Sequence, residues 1–181
     1  MPVPDLVIFD CDGVLVDSEP ISNEVLARVL SECGLPTTTA DALRFYKGLI
    51  LRDVIAQAQG RLGRALPDDF VDRFESERAT EFRRRLRPIE GAAATVQRLR
   101  AAGLGVCVAT QGKLEKTELT LGLTELRPLF AEHAVFTAYS VPRGKPYPDL
   151  FLHAADAMAT SAERCVVVED TPIGARAGVA A

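Results

Sequence analysis

The feature that most constrains this chain is an uninterrupted apolar run that ends in two acids. Residues 6–9 read Leu-Val-Ile-Phe, and Asp10 and Asp12 follow directly, ahead of Gly13. Such a run is typical of a strand buried on both faces of a parallel sheet. Open α/β sheets bind their ligands at the carboxyl ends of strands. Two carboxylates there are costly unless a cation or a proton offsets them, so the sequence predicts either a metal site or an exposed acidic turn.

The order of apolar runs and helical patterns predicts the fold class. Further strands are expected at 104–109, 134–137 and 165–168, separated by helical patterns, which predicts parallel pairing in a doubly wound, Rossmann-like α/β sheet. Residues 19–87, by contrast, show helical spacing and no convincing strand. We therefore predict an α/β core formed by residues 1–18 and 88–181, with a helical cap at 19–87. Two chain crossings join the cap to the core and provide a hinge.

Composition and net charge argue against some classes of binding partner. A chain of 181 residues can hold one good core and a smaller accessory unit, and 48% hydrophobic residues argue against disorder. The net charge of −4 argues against a general binder of nucleic acid or of a membrane surface. The N-terminus shows neither a basic region nor a long apolar segment, which predicts a cytoplasmic protein. We expect a monomer or a weak homo-oligomer.

Three later segments carry candidate site residues. Thr110 and Gln111 follow the second strand, where the hydroxyl could bind a phosphate at a helix N-terminus or simply cap that helix. Lys145 lies in a loop made rigid by two prolines, where an ammonium can neutralise both an aspartate and a phosphate. Glu169 and Asp170 follow the last strand, and Asp170 could instead cap the next helix. Acid pairs at two strand ends supply the oxygen ligands that Mg²⁺ prefers.

These four motifs, in this order, resemble those of the haloacid dehalogenase (HAD) superfamily, in its β-phosphoglucomutase-like and sugar-phosphatase branch. The resemblance rests on Asp10-Cys11-Asp12-Gly13-Val14-Leu15-Val16-Asp17-Ser18-Glu19, on Thr110, on Gly144-Lys145-Pro146-Tyr147-Pro148-Asp149-Leu150-Phe151 and on Glu169-Asp170-Thr171. It implies a Mg²⁺-dependent phosphatase that acts on a small phosphorylated sugar or sugar acid through an aspartyl-phosphate.

The resemblance also implies a role for each residue. Asp10 would attack phosphorus, and Asp12 would protonate the leaving oxygen and then activate water. Thr110 and Lys145 would hold the phosphoryl oxygens. Gln111, at a position where the family often has Asn or Ser, is a further candidate phosphate contact. Mg²⁺ would be bound by the carboxylates of Asp10 and Asp170 and by the backbone carbonyl of Asp12. Glu169 would bind it directly or through water.

Substrate choice is expected from the cap, because the core motifs contact only the phosphate. Residues 46–53 resemble the cap loop of the family, and Lys47 and Arg52 are candidate substrate contacts. Sugar-phosphate mutases of the family carry an arginine where this chain has Leu51, which favours a phosphatase. A β-phosphoglucomutase-like mutase remains the alternative, followed by a non-catalytic or truncated phosphate-binding protein. The family normally continues past Ala181 with another strand and helix, so a C-terminal edge strand is expected to be missing.

Overall fold

A parallel β-sheet forms the centre of the protein in the computed structural model, which describes residues 4–181. Its strands within that range are β1 (Leu6–Phe9), β2 (Gly105–Thr110), β3 (Val135–Thr137) and β4 (Cys165–Val168). They are arranged in the order β3-β2-β1-β4, and every neighbouring pair is parallel. The predicted α/β class with a parallel sheet is therefore confirmed.

Helices surround this sheet and fill the long segment after β1. They are α1 (Glu19–Glu32), α2 (Thr39–Tyr46), α3 (Leu51–Leu62), α4 (Phe70–Arg85), α5 (Ala92–Ala101), α6 (Leu114–Leu123), α7 (Asp149–Ala157) and α8 (Pro172–Ala180). Local sequence explains several of their starts. Thr38 and Asp41 form a reciprocal capping box at α2, and prolines stand in the first turns of α1 and α8. None of the helices within residues 4–181 has the length and hydropathy needed to cross a bilayer.

Buried apolar side chains form two separate clusters. One surrounds the sheet and includes the fully buried Ile8 and Val108, whereas the other is built from α1 to α4 and includes Leu30 and Phe74. Ile50, in the loop before α3, joins the first cluster. On this separation we propose that residues 19–87 are a cap with its own core.

The two chain crossings run side by side. The backbone N–H of Asp17 donates to the carbonyl of Arg87, and that of Ile89 donates to the carbonyl of Leu15, each over 2.9 Å. Because β1, β2 and β4 are parallel, their carboxyl ends meet at one edge of the sheet. The residues that follow these strands are therefore brought together there.

Candidate active site

Lys145 lies at the centre of the site. Its Nζ is 2.6 Å from Oδ1 of Asp10, which follows β1, and 2.7 Å from Oε1 of Glu169, which follows β4. All three side chains are less than one-tenth exposed. Burial raises the pKa of Asp10 to about 6, although the Lys145 ammonium acts in the opposite direction. Burial alone would lower the pKa of Lys145, but the two carboxylates outweigh it and raise that pKa. The lysine thus holds two buried acids in place through mutual charge compensation.

Three carboxylates beside this lysine can hold a metal ion. Asp10, Glu169 and Asp170 each offer an oxygen, and these oxygens lie within 4.8 Å of one another. Anionic oxygens at this spacing fit a hard divalent cation such as Mg²⁺. One buried ammonium does not neutralise three carboxylates, so the cluster retains negative charge for a cation. Lys47, in the loop between α2 and α3, donates to Oδ2 of Asp170 over 2.8 Å.

Asp12 faces a different set of partners. Its Oδ1 is bonded to Nζ of Lys116 and to Oγ of Ser18. Burial by itself would raise the pKa of Asp12, but the Lys116 ammonium and the two hydrogen bonds hold it below its usual value. Asp12 is therefore a carboxylate in this structure, and its carboxylate is not part of the three-acid cluster.

The sequence reasoning missed Lys116, which lies in the first turn of α6. A signal was available, since a helix that follows a parallel strand begins at the carboxyl edge of the sheet. Side chains in its first turn therefore lie close to the ligand site.

Thr110 and Gln111 lie at the carboxyl end of β2, on the same edge of the sheet as Asp10, and their contact with phosphate stays a prediction. Thr110 is fully buried, and its Oγ1 accepts from the backbone N–H of Gly112 at 3.1 Å. The Gln111 side chain accepts from the N–H of Lys145 at 3.2 Å and donates to the carbonyl of Gly48 at 3.3 Å. Gln111 thus connects the lysine loop to the cap loop.

A single cavity brings most of the candidates together. It lies between the helices α1 to α4 and the carboxyl edge of the sheet, and among its lining residues are Asp10, Asp12, Thr110, Gln111, Lys145 and Glu169. The predicted site residues Lys47, Arg52 and Asp170 do not line this cavity, and the Arg52 side chain is 60% exposed, with its Nε 3.7 Å from Oδ1 of Asp53. The cavity is also lined by Glu19, the last residue of the first motif, and by Arg78, which the sequence reasoning did not select.

An α/β fold with acids from two strand ends held by a buried lysine can bind a cation and a phosphate ester at the carboxyl edge of its sheet. The chain belongs to the haloacid dehalogenase-like hydrolases, whose family model matches residues 4–181. The predicted family and enzyme class are confirmed.

Similar proteins agree with that class. The chain is 32% identical over 176 residues to a 6-phosphogluconate phosphatase of Escherichia coli (strain K12), covering 97% of this chain and 78% of that protein. It is also 32% identical over 176 residues to hexitol phosphatase A of the same organism, covering 96% and 78% respectively. A crystal structure of a HAD family hydrolase from Deinococcus radiodurans R1, with bound phosphate and sodium, superposes with a TM-score of 0.75. The two sequences are 35% identical, and the match covers 99% of this chain and 78% of that one.

Proposed function

We propose that this protein is a Mg²⁺-dependent phosphatase that hydrolyses a small phosphorylated sugar or sugar acid through an aspartyl-phosphate on Asp10. The observation that carries the proposal is the buried Lys145, which joins Asp10 to Glu169 at 2.6 and 2.7 Å. A carboxylate and a phosphate dianion repel each other. Positive charge and fixed positions are therefore what such a site must supply. Phosphatases of a sugar acid and of hexitols among the similar proteins support the substrate class.

The reaction would proceed in two displacements at phosphorus. In the first, the Asp10 carboxylate attacks, the ester P–O bond breaks, and protonated Asp12 gives its proton to the leaving oxygen. In the second, the Asp12 carboxylate takes a proton from water while the water oxygen attacks the phosphoryl group. Asp10 and inorganic phosphate are released. Thr110 and Lys145 would hold the phosphoryl oxygens throughout.

The contact between Lys116 and Asp12 affects the two displacements differently. Its contact with Asp12 favours the carboxylate, which is the form that accepts a proton from water in the second displacement. The first displacement needs the protonated form. Lys116 therefore has to move away from Asp12 when the substrate binds, and it can then contact the phosphate ester.

The proposed metal ligands are the carboxylates of Asp10, Glu169 and Asp170, together with the backbone carbonyl of Asp12. Bound Mg²⁺ would supply the positive charge that the transferring phosphoryl oxygens require. Lys47 already places a cation on Asp170, which supports the interpretation that this part of the site attracts positive charge.

A β-phosphoglucomutase-like mutase has less support. A mutase must bind a second phosphate in the cap, and the family position for that arginine is occupied by Leu51. The neighbouring Arg52 is exposed and does not line the cavity.

The test is phosphate release from a panel of sugar phosphates and sugar-acid phosphates, with Mg²⁺ or with EDTA. We expect turnover that requires Mg²⁺ and falls at least about 1,000-fold in Asp10→Asn, since the nucleophile is lost. Asp156→Asn is the matched control, because Asp156 is exposed on α7. Undiminished turnover in Asp10→Asn would remove the assigned role. Conversion of a hexose 1-phosphate to its 6-phosphate without net phosphate release would favour the mutase.

A further inference from the structure

Arg78 projects from α4 into the same cavity with its guanidinium held by aromatic rings. The guanidinium carbon lies 4.6 Å from the ring centroid of Phe74 and 6.0 Å from that of Phe82. Both rings are buried. Cation–π contacts of this kind fix the plane of a guanidinium while leaving its N–H donors available in that plane.

Arg78 differs from the other cations of the cavity in having no acid bonded to it among residues 4–181. Among residues 4–181 the cavity is lined by Arg78, Lys113, Lys116 and Lys145. Each lysine is bonded to a carboxylate: Lys113 to Glu75 at 2.7 Å, Lys116 to Asp12, and Lys145 to Asp10 and Glu169. Arg78 makes no salt bridge or hydrogen bond with any residue of the described part of the chain, and the nearby acids act on it only through longer-range charge interactions.

The acids nearest to Arg78 are Asp12, Glu75 and Glu19, and none of these three carboxylates forms a salt bridge with its guanidinium. Lysines already bind the first two. Burial raises the pKa of Glu19 to about 7, and its Oε2 accepts a hydrogen bond from Asn23. The guanidinium is thus a partly buried cation, next to the proposed phosphoryl site, with unused donors.

We propose that Arg78 binds a carboxylate of the substrate, at the end remote from the phosphate, and thereby selects phosphorylated acids over neutral phosphorylated polyols. This inference rests on the proposed function and narrows its substrate class. The fork of a guanidinium matches the two oxygens of a carboxylate. A carboxylate carries one negative charge and is matched by the single guanidinium, whereas a second phosphate dianion would keep uncompensated charge unless Lys113 or Lys116 also left its acid.

The experiment compares matched substrates that differ only in that group. Two pairs of different length are 3-phosphoglycerate with glycerol 3-phosphate, and 6-phosphogluconate with sorbitol 6-phosphate. We expect the wild type to prefer the acid in at least one pair. In Arg78→Gln, kcat/KM for that acid should fall about 10- to 100-fold more than for its neutral partner, mainly through KM. Arg78→Lys should restore part of the preference because it keeps the charge.

Arg84→Gln is the control for the same substitution on the same helix, since its side chain is 70% exposed and contacts only Glu81. Equal losses on both members of each pair, or no preference in the wild type, would overturn the proposal. An Arg78-dependent preference for a sugar bisphosphate over both acids would overturn the carboxylate assignment.

A binding measurement tests the carboxylate subsite independently of the proposed phosphatase activity. Titration calorimetry of the non-turnover variant Asp10→Asn, with and without Arg78→Gln, measures the same discrimination as a ratio of Kd values. If the wild type releases phosphate from none of the sugar phosphates and sugar-acid phosphates of the panel, the proposed function fails. A Kd ratio that still depends on Arg78 would nevertheless support the carboxylate subsite, whereas a ratio near one would refute it.

Discussion

Removing the charge of Lys145 should destabilise the metal-free protein substantially. Lys145→Met keeps most of the stem but deletes the ammonium that lies 2.6 Å from Asp10 and 2.7 Å from Glu169. Removing one partner of a buried ion pair costs about 3–5 kcal/mol, because the other charge stays buried without compensation. Asp10 already has a pKa of about 6 and can take up a proton in place of the lost partner, which favours the lower end of that range. We expect a loss of about 3 kcal/mol, or about 6–12 °C in Tm for a domain of this size.

Urea denaturation in EDTA at pH 7 measures this loss, with the thermal midpoint as a second readout. The matched control is Lys113→Met, whose ion pair with Glu75 is about one-third exposed and should contribute less than about 1 kcal/mol. Replacing EDTA by Mg²⁺ should narrow the deficit of Lys145→Met, because a cation bound by the same acids restores compensating charge. A deficit below about 1 kcal/mol in EDTA would refute the argument that Lys145 stabilises the buried acids.

Two further predictions concern the rim of the site. Burial raises the pKa of Glu19 from 4.5 to about 7, so its contribution to stability is full below about pH 4.5 and is lost as the pH rises through 7. The free energy of unfolding of Glu19→Gln, measured relative to the wild type by urea denaturation, should therefore rise by about 1–3 kcal/mol between pH 5 and pH 8. The control Glu24→Gln, at an exposed side chain, should show no such rise. A difference between Glu19→Gln and the wild type that does not change with pH would contradict the burial argument. Gly13 has φ +83°, and a Cβ there would lie 2.5 Å from Oδ2 of Asp170, so Gly13→Ala should cost about 2 kcal/mol and weaken Mg²⁺-dependent activity. Gly60→Ala, in open space on α3, should instead stabilise by about 0.5–1 kcal/mol, and equal effects of the two changes in thermal unfolding would show that contact with Asp170 is irrelevant.

Much of the fold follows from local patterns. The strand expected at 165–168 is observed at those residues, and the one expected at 104–109 is observed at 105–110. Both strands are unbroken apolar runs, and that signal needs no knowledge of distant residues. β2 is buried as such a run predicts, whereas β4 lies at an edge of the sheet formed by residues 4–181 and leaves Val166 45% exposed. Local patterns also indicate the acids after β1 and β4 and the lysine of the proline-rich loop, but it is the resemblance to the haloacid dehalogenase motifs that predicts one shared site for residues as far apart as Asp10 and Lys145.

The contacts of the Asp12 side chain could not be predicted from the sequence. Asp12 and Lys116 are 104 residues apart, and Lys47 and Asp170 are 123 residues apart. A lysine at the start of a helix is normally solvated, and the packing of α6 against α4 and β3 buries this one, whose ammonium lies 5.9 Å from the ring centroid of Phe82. The predicted substrate contact of Arg52 stays a prediction, because the sequence does not say which way its side chain points; in the structure Arg52 lies in the first turn of α3 and is 60% exposed.

The sequence by itself determined the parallel α/β sheet and the acids and lysine at its carboxyl edge, because apolar runs and motif spacings are properties of neighbouring residues. Only the tertiary structure decided which charges are paired and which are left for a ligand. That distinction separates the paired Lys116 from the unpaired Arg78, and it depends on burial and on distances between segments that are far apart in the chain. The free energy of a charge is set by what surrounds it in space.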